Sequence, residues 1–189
     1  IDVGASKGDI LDLVIDVCPD GNHIAIEAIP VFCRFLESYY AHKPVKVINA
    51  EHDGNMPFYF VANEPAISGT TKTNKPNRGV DRLNLPSIGL DSIFAEDYQV
   101  HCIKIDCIGS ELAVIKGASQ MLANQKPLIV FECTPTHNTI GMALELYDYL
   151  HTFRYNIYLL DKYPEHLPLD RDGFKFSIFN QSKCQFFAQ

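Results

Sequence analysis

The sequence predicts a doubly wound α/β sheet, and three observations lead there. Short apolar runs alternate in order with segments of helical periodicity. Some runs, Leu128-Ile129-Val130-Phe131 most clearly, are continuously apolar, as strands covered on both faces are. Turn residues separate the segments, so each crossover has room to be right-handed.

Ile1 to Val3 is a short apolar run closed by Gly4. A helical pattern starts at Asp9, with either Ile10, Val14 and Val17 or Leu11, Val14 and Cys18 on its inner face. Asp20-Gly21-Asn22 is a turn, and His23 to Glu27 is the second strand. Pro30 opens a helix whose Phe32, Phe35, Leu36, Tyr39 and Tyr40 form one stripe. Pro44 stops it, and Val45 to Asn49 is the third strand. Asp53-Gly54-Asn55 is a turn, Pro57 to Ala62 an extended segment, and residues 63–82 a polar loop. Leu85 to Phe94 reads as a short strand leading into a single helical turn. Val100 to Asp106 is a strand, followed by a helix carrying Leu112, Ile115 and Leu122 on one side. Pro127 to Cys133 is the next strand, and a helix runs from Thr139 to Phe153. Tyr155 to Leu160 and Phe174 to Phe187 read as an antiparallel pair with no helix between them. Neither a repeat nor a linker divides the chain, so residues 1–189 are expected to form a single domain. The chain opens without Met inside a strand-like run, and an upstream segment is expected to precede it.

Composition narrows the function classes. The formal charge of −7 argues against a nucleic-acid backbone as partner, which needs clustered cations. Lys72, Lys75, Arg78 and Arg82 are the basic cluster of note, and they read as a solvated loop. No apolar run is long enough to span a membrane. The 6 cysteines form no C-x-x-C pair, and several sit in apolar runs, which suits a reducing cytoplasm and predicts no metal site, although their even number leaves disulfides open.

In an open α/β sheet the ligand lies beyond the carboxyl ends of the strands. The stretches to examine are therefore Asp2 to Gly8, Glu27, Asn49 to Asp53, Asp106 to Glu111, and Glu132 to His137, and carboxylates recur along them. The first loop reads Asp2-x-Gly4-x-x-x-Gly8. Glycine allows a tight turn and close backbone approach to a ligand. A dinucleotide fingerprint would require a glycine where Ser6 stands, and Asp9 puts a negative charge where a pyrophosphate would sit. A zwitterionic amino-acid tail beside a sulfonium suits the loop better, with Asp2 attracting the positive groups. Glu27, at the end of the second strand, is placed to accept hydrogen bonds from both hydroxyls of a ribose. Glu51 and Asp53, after the third strand, are placed to read an adenine edge.

The segments Ile1-Asp2-Val3-Gly4-Ala5-Ser6-Lys7-Gly8-Asp9, Ile26-Glu27-Ala28-Ile29-Pro30, Ile103-Lys104-Ile105-Asp106-Cys107-Ile108-Gly109-Ser110-Glu111 and Ile115-Lys116-Gly117-Ala118 resemble the motif series of FkbM-type methyltransferases. Leu90-Asp91-Ser92 and Ile129-Val130-Phe131-Glu132 match in order and spacing, so the resemblance covers essentially the whole chain. It implies a class I methyltransferase fold: a mostly parallel seven-stranded sheet with a reversed C-terminal hairpin. It also implies S-adenosyl-L-methionine as cofactor and methyl transfer to a hydroxyl of a small molecule or sugar. On that resemblance Asp2, Gly4, Gly8 and Glu27 would bind the cofactor and Asp106 would face the reacting centre; Ala5, Ala28, Glu51 and Asp106 itself are further expected cofactor-binding residues. One position departs from the pattern. Where the family usually has an acid, two residues after that aspartate, this chain has Ile108.

A hydroxyl acceptor gains from a base, and Asp106 and His137 are the candidates. Glu111 stands in the first turn of the next helix, where it either substitutes for the missing acid or favours the helix N-terminus. Three function classes stay open: an active O-methyltransferase, a non-catalytic ligand- or partner-binding module of the same fold, and a nicotinamide-dependent oxidoreductase. The missing middle glycine speaks against the last.

Overall fold

The computed structural model describes residues 1–49, 56–61, 68, 80–85, 88–135, 138–180 and 185–189. The chain divides into two compact units, residues 1–88 and residues 89–189. The fold is α/β with a seven-stranded, mostly parallel sheet, as the sequence led one to expect.

In the first unit, β1 (Asp2–Val3), β2 (His23–Glu27) and β3 (Val45–Asn49) lie in the order β3-β2-β1 and are parallel. Asp2 pairs with Ala25, and Glu27 with Asn49. Every residue of β2 is buried, which is why its sequence shows no polar alternation. α1 (Asp9–Val17) and α2 (Pro30–Tyr39) follow β1 and β2. Ala5, Leu11, Ala25, Leu36 and Tyr40 form a core cluster, with Ile15, Val45 and Val47 packed against it. α1 turns Leu11 and Ile15 inward and leaves Ile10, Val14 and Val17 exposed, so neither face expected from periodicity is the buried one. Asp9, Asp12 and Asp16 share one polar side of the helix, and the apolar residues that fill the rest of its circumference exceed what one buried face can take. On α2 the buried residues are Phe32, Cys33 and Leu36, while Phe35 and Tyr39 stay about half exposed.

β4 (Met56–Val61) and β5 (Val80–Leu85) form a separate antiparallel pair. The polar loop expected over residues 63–82 therefore ends in a strand at its last three positions. The rest of that stretch, apart from Ser68, lies outside the described residues, as does the Asp53-Gly54-Asn55 turn. Ser68 is buried, and its Oγ accepts from Val61 N at 2.9 Å.

The second unit holds β6 (Cys102–Ile105), β7 (Leu128–Glu132), β8 (Ile157–Leu159) and β9 (Gln185–Ala188), in the order β6-β7-β9-β8. β6 and β7 are parallel, and β9 runs antiparallel to both β7 and β8. Between β6 and β7 the expected single helix is two, α4 (Glu111–Lys116) and α5 (Ser119–Asn124), preceded by the short α3 (Leu90–Ile93). The break has a packing cause. Gly117 lies so close to Gly89 that a Cβ on it would stand 2.9 Å from the Gly89 Cα, and Asp91 N donates to Gly117 O. Asp91 then caps α5, its carboxylate accepting from the backbone of Gln120 at 2.8 Å and Met121 at 3.0 Å.

α6 (Ile140–Thr152) starts from Thr139, whose Oγ1 accepts from Met142 N. α7 (Arg171–Asn180) corrects the expectation of an uninterrupted strand from Phe174 to Phe187. Asp170 accepts from Gly173 N at 2.7 Å and opens the helix. Phe174, Ser177 and Ile178 then bury one face at helical spacing. Phe131, Phe174 and Phe186 stack there as an aromatic core. Among the described residues no helix is long and apolar enough to cross a membrane.

Candidate active site

The loop after β1 bends because three of its residues adopt left-handed backbone: Gly4 (φ 77), Ser6 (φ 50) and Gly8 (φ 88). Gly4 N and Ala5 N both donate to Ile26 O, at 2.9 and 3.3 Å, so the loop leaves β1 still tied to β2. Gly8 has a second reason to be glycine. A Cβ there would lie 2.3 Å from Tyr40 Oη, which is itself 3.0 Å from Gly8 O and 3.2 Å from Asp12 Oδ1. Asp12 also receives hydrogen bonds from Tyr39 Oη and Lys43 Nζ. Burial works against its charge, yet the bonds from Tyr39, Lys43 and Tyr40 hold the carboxyl below its ordinary range. Burial first, then Asp12, pushes the Tyr40 phenol well up, so it stays a hydroxyl.

Glu27 fixes the loop from the other side. It is 6 % exposed. Its Oε2 accepts from Ser6 N at 2.8 Å, and its Oε1 from Ala28 N and Ile29 N, each at 2.8 Å. The left-handed turn at Ser6 is what aims that N–H at the carboxylate. Charge-assisted bonds contribute roughly 1.5–3 kcal/mol each, enough to hold a loop of this strain. Of the expected cofactor residues, Asp2, Gly4, Ala5, Gly8, Glu27 and Ala28 thus gather around one strand-end turn, with Asp2 buried opposite Ala25. Asn49, the β3 partner of Glu27, adds an acceptor: its Oδ1 is buried with no hydrogen-bond partner among the described residues. It stands within a strand end the sequence marked out, but its polarity at the last strand position was the signal not taken up. Glu51 and Asp53 lie outside the described residues.

In the second unit β6 ends at Ile105, and Asp106 follows with its side chain 43 % exposed and 3.9 Å from Lys104 Nζ. Ser110 N donates to Cys107 O at 2.6 Å, closing a turn in which Gly109 has φ 79. Glu111 is buried beneath that turn at 3 % exposure. Its Oε1 accepts from Gly109 N at 3.3 Å, whereas its Oε2 is buried with no hydrogen-bond partner among the described residues. Burial pushes this carboxyl up from 4.5 to about 7, and the negative charge of Asp106 adds to the effect. Its own N–H, the Gly109 N–H and the Asn138 amide pull the other way. Asn138 makes no hydrogen bond to Oε2 but is itself buried, and its N donates to Thr134 O at 3.0 Å. No motif or spacing in the sequence singles out Asn138. His137 beside it lies outside the described residues. Among the described residues no group of three or more His, Cys, Asp or Glu is placed to hold a metal ion.

Each unit thus carries a strand-end turn tied to a buried carboxylate, in an α/β fold with a mostly parallel sheet and an antiparallel β9. The chain belongs to the Methyltransferase FkbM domain family, which it matches over residues 2–157. It is similar in structure to methyltransferase FkbM from Methylobacillus flagellatus KT, with 21 % identity and a TM-score of 0.58. The match covers 98 % of this chain and 42 % of that one, so this chain spans less than half the length of that protein. A precorrin-6y C5,15-methyltransferase from Geobacter metallireducens GS-15 matches at 11 % identity and a TM-score of 0.53, over 99 % of this chain and 78 % of its own. The plantazolicin methyltransferase BpumL, solved in complex with a triazolic desmethylPZN analog and SAH, matches at 11 % identity and a TM-score of 0.44, over 100 % of this chain and 75 % of its own. No curated protein matches the chain.

Proposed function

We propose that the chain is an S-adenosyl-L-methionine-dependent methyltransferase acting on a hydroxyl oxygen of a small molecule, glycan or natural product. The observation that carries the reading is the Gly4–Gly8 turn held to Glu27 by the Ser6 N–H. The residues fit the cofactor. Asn49 Oδ1 is a buried acceptor without a partner among the described residues, suited to a nucleoside's hydroxyl or amino hydrogens. Glu27 and Asp2 supply negative charge for a cationic ligand, and Gly4, Ala5, Gly8 and Ala28 supply backbone that a ligand can approach closely.

S-adenosyl-L-methionine, when bound, supplies a methyl group already activated by its sulfonium. The protein's work is then alignment and removal of a proton. Holding two reactants in line is worth up to roughly 7–11 kcal/mol. Asp106, the exposed carboxylate after β6, would accept the hydrogen of the acceptor hydroxyl and hold the proton released when the methyl group passes from sulfur to oxygen and the demethylated thioether leaves. His137 is the second candidate for that role, on sequence position alone.

Incubation with methyl-labelled cofactor and a panel of alcohol, phenol, sugar, amine and thiol acceptors tests the reading. Label should appear on hydroxyl acceptors as an alkali-stable ether and fall at least tenfold in Asp106→Asn. Label on amines or thiols alone, or on nothing, contradicts it.

A further inference from the structure

We infer that Tyr40 is a positioning residue of the Gly4–Gly8 turn: its buried hydroxyl ties the exit of the turn to the C-terminal end of α2 and occupies the space a side chain at position 8 would need. The inference rests on the reading of that turn as the element that holds the cofactor.

The turn is tied to the β2–α2 segment at its entry, its middle and its exit. Gly4 N and Ala5 N donate to Ile26 O at the entry. Ser6 N donates to Glu27 Oε2 at 2.8 Å in the middle. At the exit, Tyr40 Oη donates to Gly8 O at 3.0 Å. Ile26 and Glu27 stand at the end of β2, beside the turn they hold. Tyr40 instead ends α2 and reaches across 32 residues of sequence, so it links the turn to the helix that follows β2.

Gly8 is the place where such a tie has most to do. It is left-handed, with φ 88, and has no side chain with which to hold that conformation. Its N–H donates to Ala5 O at 2.8 Å and its carbonyl accepts from Asp12 N at 2.8 Å, so one residue both closes the turn and starts α1. Tyr40 adds a second donor on that carbonyl from a fixed position. Its ring belongs to the core cluster of Ala5, Leu11, Ala25 and Leu36 and meets Tyr39 edge-on at 4.9 Å.

A phenol carries one proton, and two acceptors are in reach of it, Gly8 O and, at 3.2 Å, Asp12 Oδ1. Asp12 has other donors: Lys43 Nζ lies 3.1 Å from its Oδ1 and Tyr39 Oη 2.9 Å from its Oδ2. The Tyr40 proton is thereby left to the Gly8 carbonyl. The same oxygen enforces glycine. A Cβ at position 8 would lie 2.3 Å from Oη and 3.0 Å from Cε2 and Cζ.

Tyr40→Phe removes the hydroxyl and strands no partner, because Gly8 O keeps Asp12 N and Asp12 keeps Tyr39 and Lys43. The variant should therefore fold, and three measurements on it decide the matter. In amide hydrogen exchange without ligand, the Gly8 N–H should exchange about tenfold faster than in the wild type, with the β2 amides within about twofold. No change at Gly8, or equal acceleration in β2, overturns the inference, since the hydroxyl would then serve general stability alone. In thermal melts, Gly8→Ala should lower Tm less in the Tyr40→Phe background than in the wild type, because the oxygen its methyl would meet is gone. An equal loss in both backgrounds contradicts the placement of the hydroxyl against the turn. In calorimetric titration, S-adenosylhomocysteine should bind Tyr40→Phe about fivefold to tenfold more weakly than the wild type. Unchanged affinity overturns the positioning role. A wild-type chain that binds no S-adenosylhomocysteine would defeat the functional reading instead, with exchange and melting still deciding whether Tyr40 holds the turn.

Discussion

The loops after β1 and after β6 use the same device in two conditions. Each leaves a strand end, passes a left-handed glycine and enters a helix, and each is tied to a buried glutamate through backbone N–H groups. Glu27 accepts three such bonds at 2.8 Å. Glu111 Oε1 accepts from Gly109 N at a longer 3.3 Å, and its Oε2 has no hydrogen bond among the described residues. The well-bonded carboxylate makes a fixed frame for its turn. Burial raises the pKa of the other to about 7, so its charge responds to pH near neutrality.

The largest effect should come from removing the frame. Glu27→Ala strands the N–H groups of Ser6, Ala28 and Ile29, at about 1–3 kcal/mol for each unsatisfied group. A loss of about 3–5 kcal/mol in urea unfolding is expected, together with loss of cofactor binding. Gly8→Ala should approach it, because a left-handed non-glycine residue costs about 1–3 kcal/mol and its Cβ meets the buried Tyr40.

Glu111→Gln should act in the opposite direction, which is the sharpest form of the contrast. A carboxyl raised in the fold from 4.5 to about 7 binds its proton more tightly folded than unfolded. Its contribution is present below the unfolded value and is lost as pH rises through the folded one. The shift corresponds to about 3 kcal/mol at most. The variant should therefore be more stable than the wild type at pH 8, by up to that amount, and nearly equal to it at pH 5. Thermal melts at the two pH values decide the matter; equal stabilities at pH 8 break the comparison.

Two smaller effects should leave both loops untouched. Asp91→Ala uncaps α5 and should cost about 1–2 kcal/mol with no change in cofactor affinity. Arg171→Ala removes an exposed bidentate pair with Asp148, worth less than about 1 kcal/mol. A larger loss would mean that α7 depends on that pair rather than on Phe174 and Ile178.

How far these features could be read from sequence depended on what set them. β2 and β3 were legible to the residue, because a buried parallel strand is a short apolar run with turn residues on either side. The Gly4–Gly8 turn and Glu27 beside it were legible as strand-end features, because glycine spacing and strand ends are local signals. α7 was misread: Phe174, Phe176 and Phe179 have the composition of a strand, and the decisive Asp170–Gly173 cap is a single hydrogen bond. The break at Gly117 was hidden because it depends on Gly89, far away in the chain. The inner face of α1 was hidden because its apolar residues cover more of the helix than the face that is buried. Asp91 read as part of a family motif and is a helix cap. The unsatisfied oxygen of Glu111 and the buried Asn138 belong to tertiary packing, which no spacing rule reports.

The central claim is that the turn pinned by Glu27 holds S-adenosyl-L-methionine. Calorimetric titration with S-adenosylhomocysteine tests it most directly, in the wild type and in Glu27→Gln, which keeps the side chain's shape. The account predicts saturable binding to the wild type, binding weakened at least tenfold in the variant, and none for NAD. Binding of NAD in place of S-adenosylhomocysteine, or S-adenosylhomocysteine affinity unchanged in the variant, would contradict it.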